Sequence, residues 1–267
     1  NCFDNGYDKT YSQVVRRYVD NGTGKQNSEL ISQIYNVLRE GYRNEYYYKN
    51  TLLNKLLLGI HSVNTTTALT EIPIAKSKAD FVLINGKAVV YEIKTELDNF
   101  DRLENQINDY YKAFDHVAVV TCKENLQVLK KKIEMIGKPV GIYILQKRGT
   151  ITTIQKPQAY SVELDAEILF KILRKQEYEE ILFNKYKHLP DVSEFKYYSE
   201  CKKMFLEIPL EEAYLSVLKL LKKRSQIIKD EFSKIPYELK FLAYFMNLKS
   251  DDYKKITKFL NESYGGV

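Results

Sequence analysis

Ala79-Asp80-Phe81-Val82-Leu83-Ile84-Asn85-Gly86-Lys87-Ala88-Val89-Val90-Tyr91-Glu92-Ile93-Lys94 reads as two strands joined by a tight turn. Residues 79–84 and 88–93 are short runs rich in β-branched and apolar side chains. The Asn-Gly pair between them is a strong hairpin signal, because both residues tolerate positive φ. Two acids and a lysine sit within these otherwise apolar strands. Strand interiors disfavour Asp and Glu, and a buried charge requires a partner. Glu92 and Lys94 are two apart, so they project from one face of their strand. A divalent cation meets that cost directly, since carboxylate oxygens are hard ligands suited to magnesium.

Register decides whether Asp80 joins them. A two-residue turn at Asn85-Gly86 pairs Asp80 with Tyr91 and puts it on the face opposite Glu92. A three-residue loop, Ile84-Asn85-Gly86, with Gly86 left-handed in a bulge, pairs Asp80 with Val90. Asp80, Glu92 and Lys94 then share a face. Because the chemistry needs all three together, the bulged turn is the expected one.

Outward from this hairpin the pattern alternates. Ser28 caps a predicted helix through about Arg39, with Leu30, Ile31, Ile34, Val37 and Leu38 on its apolar face. A second helix runs from about Asn44 to Leu58, with Asn44 at its cap and Glu45 in its first turn. A strand over 68–74 precedes the hairpin. After it come a helix (98–114), a strand (117–121), a helix (126–136), a strand (140–145) and a hairpin strand (151–154). This order predicts an α/β fold, a mixed sheet flanked by helices. Beyond Asp165 the pattern is helical near 165–186, 191–205, 210–231, 236–247 and 250–262, punctuated by Pro190, Pro209 and Pro236. The expected division is an N-terminal helical extension (1–40), a core (41–158) and an additional C-terminal helical domain (159–267). That last domain is read as a surface for a second copy of the chain or a partner protein.

The chain has 267 residues and a formal charge of +6. The charge is uneven: residues 1–162 hold 22 basic and 17 acidic side chains, whereas 163–267 hold 19 and 18. A positive first half, with Lys130 and Lys131 in its longest basic run, suits a polyanionic partner. No apolar run approaches the roughly 18 residues that span a bilayer. Asn1 to Gly6 lack the layout of a secretory signal. A cytoplasmic protein with no membrane partner is expected. Cys2, Cys122 and Cys201 form no C-x-x-C pair, and His61, His116 and His188 show no zinc spacing. Gly24-Lys25 fails as a phosphate loop, because position 19 is Val and Gln26 follows the lysine. No nucleotide cofactor is expected.

An Asp at the entry of one strand followed by Glu-x-Lys on the next resembles the PD-(D/E)XK nuclease signature. Asp80, Glu92 and Lys94 stand at its three positions, with Ala79 where the name has proline. The α-β-β-β-α-β order over 44–121 is similar to that restriction-endonuclease-like fold. Gln106 and Tyr110 resemble the Q-x-x-x-Y motif of the RecB-like branch, and four-residue spacing puts both on one helical face. The resemblance covers about 41–155 and extends to small nuclease-like proteins of phages and mobile elements. It implies metal-dependent hydrolysis of nucleic-acid phosphodiesters, DNA favoured over RNA, in a phage, mobile-element or defence setting. Asp80, Glu92, the carbonyl of Ile93 and Glu45 from the first core helix would hold Mg2+, with Mn2+ as a substitute. Glu71 is a weaker rival to Glu45. Lys94 would orient water or stabilise the pentacovalent phosphorus. Gln106 and Tyr110 would position that lysine or the nucleic-acid backbone, with Lys130 and Lys131 as further substrate contacts. Three cysteines cannot supply the four-cysteine iron–sulfur cluster of some RecB-like relatives. The contrasting reading is a nuclease-fold module that binds nucleic acid or protein without turnover.

Overall fold

The structure is a computed structural model in which residues 9–41, 43–59, 65–224 and 227–265 are described. Cys2, His61 and the stretch Asn1 to Gly6 lie outside the described residues. The chain divides into two compact units, one of Asn1–Val63, Lys147–Thr150 and Gln226–Val267, the other of Asn64–Gln146 and Ile151–Ser225.

The first unit opens with α1 (Lys9–Tyr18), α2 (Asn27–Glu40) and α3 (Glu45–Leu52), the last continued by a π-helical turn over Leu53–Leu58. Asn44 caps α3 as its chemistry predicts, its side chain accepting from the Tyr47 amide at 3.0 Å. Ser28 is not a cap, because α2 already starts at Asn27. The Asn27 side chain is engaged elsewhere, accepting from the Tyr11 hydroxyl and donating to the Phe259 carbonyl.

The second unit holds a six-stranded mixed sheet whose spatial order is its sequence order. Its strands are β1 (Thr67–Ile74), β2 (Ser77–Asn85), β3 (Lys87–Lys94), β4 (His116–Thr121), β5 (Gly141–Leu145) and β6 (Ile151–Gln155). β1, β2 and β3 form an antiparallel meander; β3, β4 and β5 are parallel; β6 returns antiparallel to β5. The parallel steps require crossovers, and α4 (Leu103–Tyr111) and α5 (Leu126–Ile136) provide them. β4 and β5 are buried along their whole length, which is why they read as unbroken apolar runs.

The hairpin is tighter than the expected bulge. Asn85 faces Lys87 directly, and Gly86 alone forms the tip at φ +71°. Continuing the register from Phe81↔Tyr91 sets Asp80 opposite Glu92 rather than Val90. The shift is an even number of residues, so the shared face survives.

Four helices complete this unit: α6 (Ala166–Lys171), α7 (Lys175–Tyr186), α8 (Glu194–Leu206) and α9 (Leu210–Lys222). Their apolar residues, among them Phe170, Leu182, Phe205 and Val217, join one core with Val90, Val119 and Leu129 of the sheet layer. The expected helix over 165–186 is interrupted at 172–174, where the Arg174 amide donates to Glu177 at 2.7 Å and starts α7. The remaining helices, α10 (Lys229–Lys234), α11 (Lys240–Phe245) and α12 (Ser250–Asn261), belong to the first unit. There Asn50 donates to the Tyr237 carbonyl and accepts from the Phe241 amide, each at 3.0 Å. The compact units therefore do not divide at 40 and 158: residues 159–267 are shared between them. Among the described residues, no helix is long and apolar enough to cross a membrane.

Candidate active site

Alternation along β3 puts Ala88, Val90, Glu92 and Lys94 on the face that packs against α4. At that depth Glu92 is 2% exposed and Lys94 7%, so both charges need partners. Gln106 and Tyr110, one turn apart on α4, supply them. The Gln106 amide nitrogen donates to Glu92 Oε1 at 2.5 Å, and its oxygen accepts from Lys94 Nζ at 2.9 Å. Lys94 Nζ also lies 3.0 Å from Glu92 Oε1. The Tyr110 hydroxyl sits 2.5 Å from Glu92 Oε2 and 2.9 Å from the Lys78 carbonyl. The orienting groups expected from the sequence thus converge on the acid and the lysine. Tyr110 needs a correction: it is fully buried, so it holds Glu92 and cannot touch a nucleic-acid backbone.

Asp80 lies at the neighbouring position of β2. Its Oδ2 accepts from the Ile93 amide at 2.8 Å, just beyond the last regular pair of the ladder, and its own carbonyl accepts from Thr70. Burial, then the charge and hydrogen bond of Glu92, then the charge of Asp80 push the Tyr110 phenol far above its ordinary range. Tyr110 is therefore a neutral donor at any working pH, and both carboxylates bear on it.

Glu71 of β1 stands beside this pair. It is a non-glycine residue at φ +56°, a conformation that costs about 1–2 kcal/mol. A carboxylate oxygen of Glu71 and one of Asp80 lie within 4.8 Å of each other. Glu71 also pairs with Lys78 at 2.7 Å. Glu45 is the exposed first residue of α3 and pairs with Lys49 at 2.6 Å. The donor set at β1–β3 is hard oxygen in close array, which fits magnesium or manganese.

Further contacts fix this frame and were not foreseen in the sequence. Asp109, the residue before Tyr110, ties α4 to the β1–β2 turn. Its Oδ2 accepts from the Lys76 amide (3.2 Å) and the Ser77 hydroxyl (2.8 Å), and its Oδ1 from Lys112 (2.8 Å). Burial pushes the Asp109 carboxyl up, but bonds from Lys112 and Ser77, the Lys112 charge and the Lys76 amide outweigh it and hold the group below the usual range. An acid in the last turn of a helix opposes the macrodipole, and that misfit was the available signal. At the C-terminal end of β3, Thr121 donates to the Lys94 carbonyl at 2.6 Å, and Asn125 donates to the Thr95 carbonyl at 3.1 Å. Lys130 and Lys131 are exposed on α5, while Lys132 reaches Glu104 of α4 at 3.5 Å. Cys122 and Cys201 are buried free thiols.

Residues 39–241 match the family described as Bacteriophage P4 protein cII. The chain belongs to that family. Protein cII of Enterobacteria phage P4 is 24% identical over 143 residues, covering 52% of this chain and 49% of the relative. The chain thus spans about half the length of that curated cII protein. The cII match contains every residue of the site and crosses from the sheet into α6–α9. It also supports the expected association with phage. No solved structure matches the chain.

Proposed function

We propose that this member of the cII family is a magnesium-dependent nuclease that hydrolyses phosphodiester bonds, with DNA as its substrate. The observation that carries this reading is the convergence of Asp80, Glu92 and Lys94 on one sheet face, with Gln106 and Tyr110 orienting the last two. Asp80 and Glu92, with Glu71 alongside and the carbonyl of Ile93, the residue after Glu92 on β3, would hold the ion. Such an ion supplies an activated water and offsets negative charge developing on the phosphate. The chain's own residues do the rest. Tyr110 fixes the plane of the Glu92 carboxylate, Gln106 aims the Lys94 ammonium, and that ammonium stabilises the phosphorus centre at attack. Exposed Lys130 and Lys131 serve as phosphate contacts. On this reading the protein acts in the cytoplasm with nucleic acid as its partner, in a phage, mobile-element or defence setting.

The test is cleavage of linear, circular and single-stranded DNA, and of RNA, with magnesium or manganese. Asp80→Ala and Lys94→Ala are expected to lose activity by roughly 10²–10³-fold or more, the scale of removing one preorganised charge-stabilising group. Circular dichroism would confirm that both variants fold. Cleavage by both folded variants at the wild-type rate would overturn the assignment.

A further inference from the structure

Among the described residues, Gln106, Lys94 and Tyr110 surround the Glu92 carboxylate, and one of these donors is a cation. Oε1 takes both the Gln106 amide and the Lys94 ammonium, and Oε2 takes the Tyr110 hydroxyl. A carboxylate offers about four acceptor sites, and at 2% exposure no bulk water serves the remainder. The Lys94 ammonium therefore already balances the Glu92 charge that a divalent ion would otherwise balance. A divalent ion on Glu92 would stand within a few ångströms of that ammonium, and like charges at that distance repel. The backbone of Lys94 is fixed by the Thr121 hydroxyl, so only its four-carbon stem can move. Of its three N–H donors, the described contacts use two, on Glu92 and Gln106.

We infer that Lys94 is the resident counter-ion of Glu92, held there until a phosphate draws it away, so that divalent metal and nucleic acid enter the site together. This rests on the nuclease reading, and adds to it a coupling between two binding events. An ammonium drawn to a phosphate oxygen would leave Glu92 to a metal, and a metal held by Glu92 would favour the ammonium on the phosphate. By linkage each ligand raises the affinity of the other by the same factor.

Manganese binding, followed by the loss of the free-ion electron paramagnetic resonance signal, tests this without reference to turnover. In the full chain without nucleic acid, Lys94→Met is expected to bind manganese about tenfold more tightly than wild type, equivalent to about 1.4 kcal/mol. Adding Glu92→Gln to that variant should remove the gain, and Lys87→Met, on the exposed hairpin, should leave affinity unchanged. A non-cleavable phosphorothioate oligonucleotide should tighten manganese binding to wild type more than to Lys94→Met. If Lys94→Met does not fold, Gln106→Leu loosens the same ammonium and should give a smaller gain of the same sign. A folded variant with wild-type or weaker affinity overturns the inference. Such a result alongside magnesium-dependent cleavage by wild type leaves the nuclease reading standing. A gain in affinity without cleavage of any nucleic acid does the reverse, and absence of manganese binding in both proteins defeats both.

Discussion

The Tyr110 phenol meets two acceptors, Glu92 Oε2 and the Lys78 carbonyl, in a space closed to solvent. Tyr110→Phe keeps the ring and removes the hydroxyl. The substitution leaves a buried carboxylate oxygen short of a donor, at about 1–3 kcal/mol, read as a lower urea midpoint. If Tyr110 only holds Glu92, kcat should fall while KM for nucleic acid stays near wild type; a change confined to KM would contradict that role. Glu92 and Lys94 were legible in the sequence because strand parity is simple arithmetic on residue numbers, and Asp80 because the chemistry selected a register that puts it on their face. Gln106 and Tyr110 were legible through helical spacing. Two features were not. Among 22 tyrosines nothing in the sequence marks Tyr110 as one with no exposed surface. The left-handed backbone of Glu71 was hidden because an exposed glutamate in a strand gives no sign of its φ.

At the scale of elements, α4 carries both orienting groups, and Asp109 sets where α4 sits against the β1–β2 turn. Its carboxyl is held below the ordinary range in the folded state. A depressed folded pKa contributes stability that is complete above the unfolded value, near 3.9, and is lost as pH falls through the folded value. Asp109→Asn is therefore expected to lower stability at neutral pH and to flatten the loss between about pH 4 and the folded value. Unfolding curves across that range would show it; an unchanged acid limb would contradict it. Most element positions were readable from period and turn chemistry, and α5 begins and ends as expected. The errors fell where local signals compete. Asn-Gly specifies a tight turn but not whether one, two or three residues span it. The break between α6 and α7 has no proline and depends on Glu177, whose carboxylate accepts from the Arg174 amide and from Arg224.

At the scale of the molecule, the expected boundary at 158 cuts through a shared core. Phe170, Leu182, Phe205 and Val217 pack in one cluster with the sheet layer. Thr67 at the start of β1 donates to the Lys222 carbonyl at the end of α9, and Tyr214 of α9 donates to Asp115 beside β4. A chain ending at 158 is accordingly expected to be insoluble or molten rather than a smaller folded nuclease. Near-ultraviolet circular dichroism and size-exclusion chromatography check this; a cooperative, monomeric fragment would refute it. The family match, which runs unbroken to 241, crosses the same boundary. Helical periodicity reveals that a stripe is buried but not which surface covers it, so the sequence pattern could not attach α6–α9 to the sheet.

The first unit is built from stretches far apart in the sequence. Asn27 of α2 binds the carbonyl of Phe259, 232 residues further along, and Asn50 of α3 binds residues 237 and 241. On the ribosome α1 to α3 emerge long before α10 to α12 exist. At translation speeds of about 5–20 residues per second, they wait roughly ten to fifty seconds with their apolar stripes uncovered. The sheet layer can condense during that interval, so birth order lets the second unit mature before the first. Nascent chains stalled before residue 226 emerges should leave α1 to α3 as the protease-sensitive part.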